Sequence, residues 1–377
     1  MDHIVFAMPR KFDFVIVGSG LTGSTIARIL CDAGKSVLVL ERRSEIGGNV
    51  ADYKHPSGIH VHKYGPHLFR TSSDAIWQFV TRFATFYPYK HIIKSYVDGG
   101  YENWPIAASY IRRVCGDNWS PEMPTDNPRN FEEAALSLMP RAIYDRFIMH
   151  YTRKQWGRCP TTLDAQLCKR FDVRHDDNPY LTPNAKYQGI PQDGYSSLVQ
   201  QMLKGIPVVL NFDFLADRTL FRARELTVFT GPIDEYFNWE LGRLMYRGQK
   251  RTVEYLSDTD WALPCGQVNY PDERPMIRQI EWKHIMRREY AERIRGTVVT
   301  TEVPHSPESP DEYEYPFPSA ENDEIARGYK RMLSAEPGVI ICGRLGEYKY
   351  YDMDQAIGRA MIIARKIVNR EIVTGCV

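Results

Sequence analysis

Three features predict an α/β protein organised around a buried parallel sheet: an apolar run at residues 14–17, a glycine-rich turn leading into an apolar helical stripe, and a second apolar run ending on an acid. Phe14, Val15, Ile16 and Val17 are apolar on both faces, as a strand covered from both sides must be. The turn Gly18-Ser19-Gly20-Leu21-Thr22-Gly23 follows at once. Ile26, Ile29, Leu30 and Ala33 then recur with helical period, and Gly34 suits the left-handed cap that closes such a helix. Residues 36–40 make the next strand, and Glu41 stands at its carboxyl end.

Each glycine has a mechanical job if a dinucleotide binds here. Gly18 permits the tight turn, Gly20 lets the backbone approach a pyrophosphate, and Gly23 lets helix and strand pack closely. Ser19, Leu21 and Thr22 complete the turn, whose N–H groups and helix dipole favour an anion. Glu41, about 20 residues on, is placed to accept ribose hydroxyls. The domain is therefore read as Rossmann-like. A second glycine pair, in Arg42-Arg43-Ser44-Glu45-Ile46-Gly47-Gly48-Asn49, suits FAD, whose extended body needs backbone close by, better than a nicotinamide dinucleotide.

A chain of 377 residues allows two or three domains and a large core. A net charge of +1 and a charged fraction of 25% create no field for nucleic acid or an anionic membrane. The seven cysteines are odd in number and scattered, with no C-x-x-C. That argues against a disulfide framework or a zinc site and fits a reducing compartment. Arg10 and Lys11 lead straight into the first strand with no signal-peptide core, and no apolar run is long enough to span a bilayer. The expectation is a cytoplasmic protein without metal, nucleic-acid or membrane partners.

Residues 58–71 are extended and carry His60, His62 and His67. His60 and His62 share a strand face, but no carboxylate or cysteine with ligand spacing accompanies them. Ser73 caps a helix with the stripe Ile76, Phe79, Val80 and Phe83. Asp98-Gly99-Gly100 reads as a hairpin turn within 85–105. Asn130 with Glu133 starts a helix, Pro140 breaks it, and another runs to about residue 155 as part of a helical insert. A polar stretch over 167–180 reads as a mobile lid. Strands are expected near 208–210, 226–229, 244–256 and 266–283. A last strand, Val339 to Cys342, returns to a glycine and a helix that close the first domain.

The chain has no strand–turn–helix G-x-S-x-G, metal cluster or Walker lysine. Arginine and tyrosine recur instead at loop-like junctions: Tyr151, Trp156, Arg170, Tyr180, Arg247, Arg278, Tyr315, Arg344, Tyr350 and Tyr351. Guanidinium forks match phosphate oxygens, and tyrosine joins a stacking face to a hydroxyl. Together they point to a diphosphate carrying a base and a sugar.

At this point the chain resembles the bacterial UDP-galactopyranose mutase family. The glycine turn, the run from Glu41 to Asn49, and His62-Lys63-Tyr64-Gly65-Pro66-His67 carry the likeness. So do Tyr151-Thr152-x-Lys154-Gln155-Trp156-Gly157, Tyr187-Gln188-Gly189-Ile190-Pro191 and Thr230-Gly231-Pro232-Ile233-Asp234, and the stretch from Gly343 to Met353. The resemblance implies an FAD enzyme, active when reduced, that interconverts pyranose and furanose forms of a nucleotide sugar. In the implied mechanism reduced flavin N5 attacks the anomeric carbon and expels the nucleoside diphosphate, which returns after the sugar recloses through another hydroxyl. An external reductant, NAD(P)H or reduced flavin, and a homodimer are implied too.

The resemblance further assigns residues. Arg170, on the lid, and Arg278 would clamp the diphosphate, and His67 would lie by flavin and sugar. Tyr180, Tyr315 and Tyr350 would add phosphate contacts, Tyr151 would stack on the base with Phe147 and Ile148 nearby, and Trp156 would border the sugar. Thr152 and Asn269 join this substrate set, with Arg247 and Asp352 supporting the pocket. FAD would be held by the residues Gly18 to Gly23, Glu41, Arg42, Gly47, Gly48 and Asn49, then by His62, Tyr64, Gly65, Thr230, Gly231, Gly343, Arg344, Tyr351, Asp352 and Met353.

Ile148, where many members have phenylalanine, Phe171-Asp172, the short 176–180 segment and the single glycine of Gln192-Asp193-Gly194-Tyr195 depart from the family pattern. They leave the nucleotide and the sugar open. UDP-galactose is the first expectation and dTDP-fucose the alternative, because a smaller residue by the base could admit the thymine methyl. The expected domains are 1–84, 192–240 and 318–377 for FAD; 106–166 for the helical insert; and 85–105, 167–191 and 241–317 for an antiparallel sheet. Two competing readings are an amine-oxidase-like FAD oxidoreductase, which would remove hydrogen from its substrate, and a non-catalytic nucleotide-sugar binder.

Overall fold

The structure is a computed structural model that describes residues 12–171 and 173–371, with only the backbone of Arg170. Asp172, and the basic residues Arg10 and Lys11, lie outside the described residues.

Five parallel strands form the cofactor-type sheet, in the order Val208–Val209, Val37–Leu40, Phe12–Val17, Ala223–Phe229, Val339–Ile341. Segments far apart in the chain therefore build one sheet, as the split domain requires. The helix Leu21–Asp32 packs on one face beside the helix Met353–Val368. Phe14, Ile16, Ile26, Leu30 and Ile363 are wholly buried between them, each side chain contributing about 1.5–3 kcal/mol. Gly23 is required here, since a Cβ would fall 2.0 Å from the Gly18 carbonyl oxygen.

A second, seven-stranded sheet is mostly antiparallel. Its order is Tyr315–Pro316, Tyr246–Leu256, Thr297–His305, Arg278–Glu281, Gln267–Asn269, Ile93–Val97, Gly100–Trp104. The hairpin turns at Asp98 and Gly99, both left-handed, while Gly100 already opens the return strand. Phe86–Pro88 does not join this sheet. It pairs with Tyr187–Pro191, which also pairs with Phe69–Thr71. Gly189 lets these strands close, because a Cβ there would meet the Tyr87 carbonyl oxygen at 2.6 Å. The 85–105 segment is thus shared between two sheets.

The helical insert comprises Ala108–Cys115, Phe131–Leu136 and a run from Arg141 to Trp156 that passes through a wider turn at Asp145–Met149. Asn130 caps the second helix by accepting from the Glu133 N–H (3.0 Å). Its core gathers Phe131, Phe147, Ile148 and Trp156. The expected lid is tied inward: Arg174 is buried and donates to the carbonyls of Asn178 (3.1 Å) and Leu181 (3.2 Å).

Candidate active site

A cleft runs along the carboxyl edge of the parallel sheet, over the N-terminus of the helix Leu21–Asp32. That helix has no side-chain cap at Gly20 and no acid in its first turn, so its leading N–H groups stay available to an anion. Gly48 (φ +56) lies so near Gly20 that a Cβ on it would sit 2.9 Å from the Gly20 Cα. The two glycine motifs therefore touch, backbone against backbone, in the wall of the cleft.

Glu41 is buried and braces the turn. Its Oε2 accepts from Ser19 N–H (2.9 Å) and Ser19 Oγ–H (2.7 Å), and Oε1 accepts from Arg43 N–H (2.9 Å). Oε1 retains capacity for a ribose hydroxyl. Arg42 is held at the same end by Glu235 (2.8 Å) and Asp311 (2.9 Å).

The second cavity opens onto the seven-stranded sheet. Strand register builds its floor: Asn269 and Arg278 line it, within a row of successive partners across five strands that runs Ser95, Asn269, Arg278, Glu302, Arg251. Glu302 is fully buried between two guanidiniums, accepting from Arg278 Nε and from Arg251 Nε (2.8 Å). Arg251 also makes a two-pronged pair with Glu314 (2.7 and 2.9 Å). Burial alone would raise the Glu302 pKa, but Arg278 and Arg251 more than offset it and hold the carboxyl below its usual range. For Glu314, burial wins over Arg251 and the pKa rises.

The His62-to-His67 loop lies against this floor. A Cβ on Gly65 (φ +89) would fall 3.0 Å from Glu302 Oε1, so glycine is needed there. His67 donates its backbone N–H to His62 Nδ1 (3.0 Å), and its Nδ1 lies 2.9 Å from the Gly65 carbonyl. A carbonyl only accepts, so Nδ1 carries the proton and Nε2 is the bare nitrogen of a neutral ring. Burial, with His62 and Arg344 nearby, holds the His67 pKa well down, and burial pushes His62 to about 4.

The expected cofactor residues largely converge. Gly18, Gly20, Leu21, Thr22, Glu41, Arg42, Gly47, Gly48, Asn49, Thr230, Gly231, Gly343, Arg344, Tyr351 and Met353 line the first cleft. Ser19 and Gly23 lie behind them, while Tyr64, Gly65 and Asp352 line the second cavity instead. His62 is one layer further in, against Trp282 and Tyr195.

Of the expected substrate residues, His67, Tyr151, Asn269, Arg278, Tyr315, Tyr350 and Asp352 line the second cavity. Tyr315 and Tyr350 stack (6.1 Å, 13°), and Asp352 accepts from Tyr350 Oη–H (3.0 Å) and Arg70 (3.0 Å). Phe147, Ile148, Thr152 and Trp156 are buried in the helical insert outside that lining. Arg247 is engaged elsewhere, donating to the Gln155 and Lys154 carbonyls and to Ser306 Oγ, which ties the insert to the sheet. Tyr180 bridges to Ile92 beneath Lys90. The Arg170 backbone ends a short helical turn, and its side chain lies outside the described residues.

The cavity also holds residues not read from the sequence: Arg70, His91, Trp104, Gln267 and Glu314. One carried a usable signal. Gln267 sits two residues from Asn269, on the same strand face. Among the described residues no group of histidine, cysteine and acid side chains could hold a metal, and no helix is long and apolar enough to cross a membrane.

Residues 146–350 match the family described as UDP-galactopyranose mutase, and residues 16–83 match an NAD(P)-binding Rossmann-like domain. Among curated relatives, a dTDP-fucopyranose mutase of Escherichia coli is 32% identical, covering 93% of this chain and 97% of its own. The chain belongs to the UDP-galactopyranose mutase family. A probable UDP-galactopyranose mutase of Klebsiella pneumoniae is 31% identical, with 95% of each chain covered. Among solved structures, a reduced UDP-galactopyranose mutase superposes with a TM-score of 0.74 at 16% identity, covering 96% of this chain and 94% of that one, which shows a shared fold. The UDP-galactopyranose mutase family consists of flavin-dependent isomerases, and the paired glycine motifs fit such a cofactor, since a side chain at Gly48 would run into the Gly20 backbone that lines the cleft.

Proposed function

We propose that the chain interconverts the pyranose and furanose forms of a nucleotide-diphosphate sugar, using FAD that must be reduced for turnover. UDP-galactose is the first candidate substrate and dTDP-fucose the second, as the two nearly equally similar relatives carry those names. One observation supports the reading most. The cofactor cleft and the substrate cavity share Asn49, His67, Arg344 and Met353 as common walls, so their ligands would touch.

A reduced flavin bound in the cleft supplies the nucleophile for the anomeric carbon. The chain's part is to hold and neutralise. Arg278, fixed at Nε by Glu302, lines the cavity, where its guanidinium would meet a leaving diphosphate. Tyr315 and Tyr350 offer hydroxyls and Tyr151 an aromatic face. The bare Nε2 of His67 accepts a hydrogen bond where the two ligands meet.

The test is to incubate the dithionite-reduced, flavin-loaded protein with UDP-galactopyranose and dTDP-fucopyranose and separate the ring forms by chromatography. Furanose product from the reduced form alone supports the reading. Isomerisation by the oxidised form, or none of either nucleotide sugar, rules it out. Hydrogen loss from the substrate would instead favour an oxidoreductase.

A further inference from the structure

The connection from the strand Thr297–His305 to the strand Tyr315–Pro316 passes over the end of the cofactor cleft where Glu41 and Arg42 stand. It is anchored at both ends. Ser306 Oγ accepts from Arg247 (2.6 Å), and the buried Glu314 is gripped by Arg251 (2.7 and 2.9 Å). Between these anchors Glu308, Ser309, Asp311 and Glu312 are exposed, while Pro304, Pro307 and Pro310 restrict the backbone.

This segment is tied to the cleft walls at successive points. Pro310 itself lines the cleft. The Asp311 carboxylate pairs with Arg42 Nε (2.9 Å), and the Asp311 carbonyl accepts from Arg43 Nη2 (2.9 Å). The Tyr313 carbonyl accepts from Asn49 Nδ2 (3.2 Å). Arg42, Arg43 and Asn49 all line the cleft, whereas Asp311 does not.

The Arg42–Asp311 pair is an outer fastening. The Asp311 side chain is 55% exposed, and Arg42 keeps an inner partner in Glu235 (2.8 Å), which is only 11% exposed. So exposed a pair adds little to folding stability. It can still govern passage. A strap that holds the walls and not the occupant must lift for a dinucleotide to enter or to leave, and its fastening opposes both steps equally.

We propose that residues 306–313 form a latch over the Glu41 end of the cofactor cleft, with Asp311 as its catch on Arg42, and that its opening sets the rate of cofactor exchange. This rests on the reading of the cleft as an FAD site.

Flavin fluorescence follows FAD release from the loaded full chain, and FAD uptake by the chain stripped of flavin, in wild type, Asp311→Ala, Asp311→Lys and Glu312→Ala. Salt at about 0.15 M screens charges more than roughly 8 Å apart. Asp311→Ala should speed release and uptake alike by about threefold, and Asp311→Lys, which sets a like charge against Arg42, by about tenfold. The equilibrium dissociation constant should stay within about twofold of wild type in both, because no contact to the dinucleotide is lost. Glu312→Ala removes the same charge from the next residue and should change neither rate. Urea midpoints of the two alanine variants should match wild type. Unchanged rates in both Asp311 variants, a faster rate in one direction only, an equal effect of Glu312→Ala, or a lowered urea midpoint in Asp311→Ala would overturn the proposal. Wild-type protein that takes up no FAD removes the underlying reading instead, and the two failures are thereby told apart.

Discussion

Arg278 and Glu302 face each other as register partners on adjacent antiparallel strands, and the guanidinium Nε donates to a carboxylate with no exposure to water. The arginine aimed at the substrate cavity is thus anchored from behind by a buried acid that a second arginine, Arg251, also grips. Such a pair gains little over apolar packing, but removing one member leaves uncompensated charge in the core.

Glu302→Leu should therefore destabilise the protein by about 3–5 kcal/mol, because Arg278 and Arg251 lose their shared carboxylate. Urea denaturation gives the value. A loss near zero would mean that Glu314 alone holds the ladder.

Arg278→Ala should lower kcat by at least about 100-fold if its terminal nitrogens stabilise the leaving diphosphate. Arg278 does not line the cofactor cleft, so the flavin absorbance of the purified variant should equal that of wild type. Steady-state turnover and flavin content are the paired measurements, and full turnover in the variant would remove the assigned clamp.

Gly48→Ala should impair flavin loading, since the new Cβ would stand 2.9 Å from the Gly20 Cα on a left-handed backbone. Gly99→Ala is the matched control, also left-handed (φ +80) but with nothing within 4 Å. It should cost about 1–2 kcal/mol of stability from backbone strain and leave flavin content intact. Flavin stoichiometry and urea midpoints separate the two effects.

Stability should fall on acidification below about pH 6.5. His62 and His91 have folded pKa values near 4 and 3, against 6.5 for an exposed ring. Between those values the unfolded chain binds more protons than the folded one. The stabilising contribution is therefore complete above pH 6.5 and declines below it, by up to about 1.4 kcal/mol per pH unit for each ring. Urea midpoints between pH 7 and 5 would show the slope, and His91→Phe should make it shallower. An equal slope in that variant would contradict a neutral His91.

Much of the fold could be read locally. The strand–turn–helix from Phe12 to Asp32, the cap at Ser73 and the return at Val339 to Gly343 depend on periodicity and turn chemistry within a few residues. The glycines that line the first cleft were legible for the same reason, since glycines with fixed jobs carry their own signal. Arg247 shows the limit: as a residue type it suited a phosphate, yet the structure commits it to the carbonyls at the end of a helix. Phe147 and Ile148 carry no local mark that distinguishes a base contact from core, and both are buried in the insert.

By itself the sequence determined where backbone comes close to backbone, and hence that a glycine-lined cleft opens over the first helix. It also selected Arg278 and Asn269 as candidates. Only the tertiary structure decided that these two stand in one row with Ser95, Glu302 and Arg251, and that His91 and Gln267 complete the corner beside them. The reason is physical: turn and helix signals act over a few residues, whereas cross-strand register joins Ile93 to Gln267, 174 residues further along, through hydrogen bonds that no single segment encodes.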